Sequence, residues 1–111
     1  VTYECINGWN KKSFLDYVNE NFKEKSMLKG ESKGCAYRGT EGNKCSVGIF
    51  IPDSEYSSSL ENTSVDALPR HFQKFYPLPI EGMLDLQIVH DNGDPEYTFD
   101  DMIRFIEDNV K

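Results

Sequence analysis

The chain has 111 residues, 38 % of them hydrophobic and 13 % aromatic, with 12 basic and 19 acidic side chains and a formal net charge of -7. This is a single-domain length, and its apolar content excludes a disordered chain, which cannot offset the entropy of ordering. The acidic balance excludes generic nucleic-acid binding, which relies on Lys and Arg against phosphates, and argues against an anionic membrane surface.

The first predicted element is an amphipathic helix. Phe14, Val18 and Phe22 recur at four-residue spacing with Leu15 beside them, and Lys, Asp, Asn and Glu fill the opposite face. Asn10 or Ser13 can cap its start, and the mixed charges of Phe22 to Ser26 carry the chain towards Gly30. Ser26 to Gly34 reads as a polar loop.

Cys45, Val47, Ile49 and Ile51 then alternate with Ser46, Gly48 and Phe50, the period-two pattern of a strand with one buried face. Gly39 to Asn43 supplies turn residues, and Cys35 to Arg38 is the expected partner strand. The expected hairpin is centred near Thr40 to Gly42 and brings Cys35 close to Cys45. Two strands alone are marginal and need helices over one face.

Pro52 and Asp53 end the strand, and Ser57 to Ser64 is a polar surface excursion with short helical pieces at most. Pro69 fits the first turn of a short helix carrying Phe72 and Phe75, which Pro77 ends. Pro79 opens the next helix, with Ile80, Met83, Leu84, Gln87 and Ile88 on one side and Gly93 as its stop. In the last helix Thr98 and Asp101 make a capping-box-like start, and Phe99, Met102, Ile103 and Ile106 form the buried stripe. With no repeats or linkers, the expectation is one α+β domain over residues 1–111. It has a small antiparallel hairpin packed by an N-terminal helix and two or three C-terminal helices.

Three ordered blocks carry a resemblance. Cys35 to Gly48 reads C-x-Y-R-G-x-x-G-x-K-C-x-V-G, Ile51-Pro52-Asp53 is followed by Tyr56, and Leu86-Gln87 is followed by His90-Asp91. Together they resemble a family of small uncharacterised proteins of phages, prophages and bacterial genomes, across roughly Phe14 to Asp91. Thr40 stands where that family often has proline. The resemblance implies a phage or mobile-element setting and no particular reaction.

Cys35, Cys45 and His90 are the candidate catalytic residues. A thiol paired with an imidazole is the nucleophile–base arrangement of acyl-transfer enzymes, and Arg38 and Lys44 would lower a nearby thiol's pKa. Asp91 is poorly placed to orient the ring, because adjacent residues on a helix point about 100° apart. The same Cys35, Cys45 and His90 are candidate metal ligands. The two cysteines are separated by nine residues, whereas zinc ligand pairs prefer about two to four. They fit equally as small buried residues or a reversible disulfide, with His90 bonding the hairpin backbone. No cofactor is implied.

Tyr37, Arg38, Gly39, Gly42 and Lys44 are the candidate binding residues. Aromatic plus arginine is the composition of an interface hot spot, and equally of a brace across a hairpin. A Gly39-x-x-Gly42 turn can also offer backbone N–H groups to an anion. His71, between Arg70 and Lys74, reads as a surface residue, and Trp9 as a core or edge anchor.

Three cysteines, Cys5 included, form no secreted framework. Val1 to Asn10 hold no signal-peptide core, and no stretch approaches the roughly 18 apolar residues of a membrane span. Val1 fits a chain whose initiator methionine is removed, and equally an arbitrary cut. The expected compartment is the cytoplasm of a bacterial host cell. The expected function is that of a small acidic phage- or prophage-type accessory protein, which binds and can inhibit a bacterial host defence protein. The alternatives are a cysteine-dependent hydrolase or transferase using Cys35 or Cys45 with His90, and a nucleotide-signal binder stacking on Tyr37. A homodimer is compatible with each.

Overall fold

The computed structural model describes residues 2–21, 37, 44, 46–61, 63–92 and 98–111, apart from the side chains of residues 90–92 and 98. Three α-helices frame it: α1 (Lys11–Asn21), α2 (Ile80–Asn92) and α3 (Thr98–Asn109). Between α1 and α2 the described chain runs through short 3-10 helices at Gly48–Phe50, Asp53–Glu55, Ser58–Leu60, Val65–Ala67 and Arg70–Phe75.

The start of α1 is fixed by a reciprocal cap. The Ser13 N–H donates to Asn10 Oδ1 at 2.8 Å, and the Asn10 N–H donates back to Ser13 Oγ at 2.9 Å. Two orphan donors of the first turn are thereby satisfied. Phe14 and Val18 are fully buried against α3, which contributes Met102 and Ile106, also fully buried. Each such side chain stabilises the fold by about 1.5–3 kcal/mol relative to exposure.

In α3 the expected stripe is the observed one. In α2 it is rotated: Met83, Leu86 and Gln87 face inwards while Ile88 is 52 % exposed. The sequence of α2 is apolar on nearly all sides, so periodicity cannot choose its inner face. The segment before it follows the reading from Pro69, with a 3-10 helix over Arg70–Phe75 and Phe72 in the core.

The fold class needs correction. Among the described residues there is no β-strand; the sole β contact is an isolated parallel bridge between Tyr3 and Val110. The protein is helical there rather than α+β around an antiparallel hairpin. Val47 has right-handed helical angles (φ -90°, ψ -37°), Gly48–Phe50 form a 3-10 turn, and only Ile51 is extended. Ser46 to Ile51 are all buried, so the alternation that implied an open strand face is absent. The segment closes its own hydrogen bonds, Phe50 N–H to the Val47 carbonyl at 2.9 Å and Ile51 N–H to the Gly48 carbonyl at 3.1 Å. Tyr17 donates its hydroxyl to the Ile49 carbonyl at 2.5 Å. A tight turn sheathed by helices meets the same backbone demand that a partner strand would. The expected hairpin tip, residues 40–42, and the polar loop before it lie outside the described residues.

Phe50, carried inwards by this turn, is the hub of an aromatic cluster. It stacks on Tyr17 at 5.0 Å and takes Phe14 and Trp9 edge-on at 5.7 and 5.6 Å, arrangements favoured by the ring quadrupole. Trp9 is therefore a half-buried edge anchor. It leaves a turn in which Asn7 (φ 57°) and Gly8 (φ 82°) are both left-handed, closed by the Trp9 N–H to the Ile6 carbonyl at 3.0 Å. Asn-Gly is the pair that tolerates this turn best. None of the helices among the described residues is long and apolar enough to cross a membrane.

Candidate functional site

Tyr37 is 1 % exposed and sits at the centre of a buried polar network. Its N–H donates to Glu61 Oε1 at 2.9 Å, and Tyr56 donates its hydroxyl to the other oxygen of that carboxylate at 2.6 Å. The Tyr37 hydroxyl donates to the Thr63 carbonyl and accepts from Gln87 Nε2 at 3.1 Å. Gln87 Oε1 accepts in turn from the Val65 N–H at 3.0 Å. From the residue just before Gln87 on α2, the Leu86 carbonyl accepts from Ser46 Oγ at 3.3 Å. Gly48 lies so close to Tyr37 that a Cβ there would meet its carbonyl oxygen, with the carbonyl carbon at 3.0 Å. Outside this interior Lys44 reaches Asp53 at 3.8 Å.

Each residue of this network and of the ion pair outside it belongs to one of the three sequence blocks or to the link joining them. Tyr37, Lys44, Ser46 and Gly48 come from the first, Asp53 and Tyr56 from the second, and Leu86 and Gln87 from the third. Glu61, Thr63 and Val65 close the circuit. Such a network specifies one packing of its neighbours, because every polar group left unpartnered inside would be costly.

Of the expected binding residues, Tyr37 therefore presents no ring surface to solvent, and Lys44 is partly exposed in a surface ion pair. Arg38, Gly39 and Gly42 lie outside the described residues, as do Cys35 and Cys45. His90 belongs to α2 through its backbone, with its side chain outside the described set. The thiol–imidazole pairing, the disulfide and the metal-ligand set all fall there. Among the described residues no group of three or more His, Cys, Asp or Glu could hold a metal ion. Cys5 is half-buried, and burial raises its thiol pKa.

A second feature was not singled out from the sequence. Tyr3 packs on Gly82 in the first turn of α2 and bridges to Val110 just past α3, so the N-terminal segment, the start of α2 and the end of α3 meet. There Glu81 and Asp85 act on Tyr3, Lys111 pairs with Glu4 at 4.0 Å, Lys11 donates to the Glu107 carbonyl at 2.8 Å, and Asp108 follows in the last turn of α3, so among the described residues this end carries more carboxylates than cations. The Tyr3 hydroxyl donates to Asp85. Its pKa is pushed up to about 12 by that hydrogen bond, then by burial and by the charges of Asp85 and Glu81. Glu107 and Asp108 occupy the last turn of α3, where the helix dipole disfavours negative charge. These carboxylates are scattered from residue 4 to residue 108, so no local motif could reveal them.

Fold and site together define a small helical scaffold around a hydrogen-bonded tyrosine, carrying a carboxylate-rich end. No protein-family model, no curated protein and no solved structure matches the chain.

Proposed function

We propose that the protein is an acidic accessory protein of the phage or prophage type. In this reading it acts in the bacterial cytoplasm by binding, and so inhibiting, a host protein through a basic cleft. The observation that carries this is the carboxylate-rich end. Glu107 and Asp108 oppose the dipole of their own helix there, so helix stability is not the reason for them. Tyr37 is buried and offers no surface to a partner, whereas the acidic end is a surface that would. Carboxylates held in a fixed array can take the place of phosphates in a basic cleft, and such contacts give fast, salt-sensitive association.

The test is capture of partners from a bacterial lysate by the tagged protein at low and at high salt, beside a Glu4→Gln/Glu81→Gln/Glu107→Gln/Asp108→Asn variant. Asp85 is left intact because it holds Tyr3. The expected result is one dominant basic partner, weakened by salt and lost in the variant. A partner retained equally by the variant and at high salt would refute the reading.

A further inference from the structure

We infer that the turn 6–9 and the 3-10 helix Arg70–Phe75 form one docking face for a carboxylate-rich protein segment, separate from the acidic end. Two observations meet here. The first concerns charge. Among the described residues five Lys and Arg side chains already have an oxygen partner. Lys12, Lys44, Arg104 and Lys111 pair with carboxylates, and Lys11 donates to the Glu107 carbonyl. Arg70 and Lys74 are exposed and pair with no carboxylate. His71 joins them on the same helix, and a 3-10 helix eclipses residues three apart, so His71 and Lys74 line one face with Arg70 alongside. Among the described Lys and Arg side chains, Arg70 and Lys74 are the two left without a carboxylate or carbonyl partner.

The second observation is rigidity beside an aromatic anchor. Asn7 Nδ2 donates to the Gln73 and Tyr76 carbonyls at 2.8 and 2.9 Å, and the Ile6 N–H donates to the Pro77 carbonyl at 2.9 Å. The left-handed turn that delivers half-buried Trp9 is thereby clamped to the end of the basic helix. Phe75 underlies Lys74 with its ammonium 5.2 Å from the ring centroid. Tryptophan and arginine on a pre-organised platform are the composition of interface hot spots, since little ordering entropy remains to be lost on binding. A guanidinium and an ammonium group that pair with no carboxylate among the described residues select carboxylates as the complementary chemistry.

Trp9 is the single tryptophan of the chain and follows the turn that Asn7 clamps to the basic helix, so its emission is the optical readout. The experiment titrates the whole protein with decaglutamate, and separately with decalysine, at about 0.15 M salt. There the Debye length of about 8 Å screens repulsion from the rest of the acidic chain. Decaglutamate should give a saturable change in Trp9 emission. In Arg70→Gln/Lys74→Gln affinity should fall roughly 2- to 30-fold, as expected when two exposed charge pairs are lost, and in Arg70→Glu/Lys74→Glu it should fall further. Both residues are exposed, and circular dichroism checks that each variant keeps its helices. The neutralised acidic-end variant should bind decaglutamate undiminished, which separates this face from the function proposed above. No saturable response, or an equal response in both basic-turn variants, overturns the inference.

Discussion

Replacing Tyr37 by Phe removes one oxygen and no ring, so its effect isolates the polar network. The hydroxyl is a donor to the Thr63 carbonyl and an acceptor from Gln87 Nε2. In Tyr37→Phe both partners lose it. Thr63 is half-buried and its carbonyl can recruit water, so that loss is near an ordinary hydrogen bond, about 1 kcal/mol. Gln87 is buried on α2 against Val65, and an unsatisfied amide donor there costs about 1–2 kcal/mol. The sum is about 2–3 kcal/mol, or a melting temperature lower by roughly 10–15 °C for a domain of this size. Urea denaturation at fixed pH measures it directly.

Gln87→Leu should cost a similar amount by orphaning the Val65 N–H. The double variant should fall short of the sum by about 1 kcal/mol, because the Tyr37–Gln87 bond is lost only once. A Tyr37→Phe protein within about 0.5 kcal/mol of wild type, or a strictly additive double variant, would refute the network. An exposed hot-spot tyrosine would instead leave stability unchanged and weaken a partner.

Gly48→Ala drives a methyl group into the Tyr37 backbone, which cannot move without breaking its bond to Glu61. A loss of about 2 kcal/mol or more is expected by thermal melting, and a neutral result would mean that the two backbones are not in contact. Asn10→Ala should cost about 1 kcal/mol by removing the α1 cap, while Asn10→Asp should be nearly silent; equal effects would remove the cap from the account. The Tyr3 phenol titrates near 12 when folded and near 10.0 when unfolded, so folding favours its protonated form. Its contribution is fully present below pH about 10 and is lost as pH rises through about 12. Tyr3→Phe should therefore flatten the alkaline decline in stability over that window. An unchanged decline would assign it to other groups.

What the sequence by itself determined is the helical frame. Phe14 and Val18 in α1, and Met102 and Ile106 in α3, repeat at helical spacing over enough turns for one inner face to be unambiguous. Asn10 with Ser13, and Pro69 and Pro79, mark boundaries by chemistry that acts within three or four residues. The path of Ser46 to Ile51 was decided by tertiary structure. Six small and apolar residues satisfy a strand pattern and a buried turn equally, and only Tyr37, Tyr17 and α2, packing over every side, select the turn. Long-range pairing likewise decided the place of Tyr37, since Glu61 and Thr63 meet it across more than twenty residues. The acidic end and the basic turn exist for the same reason. Charge composition is readable along the chain, but which charges stand together depends on the Tyr3–Val110 bridge and the Asn7 clamp, contacts between residues far apart in sequence that no local rule specifies.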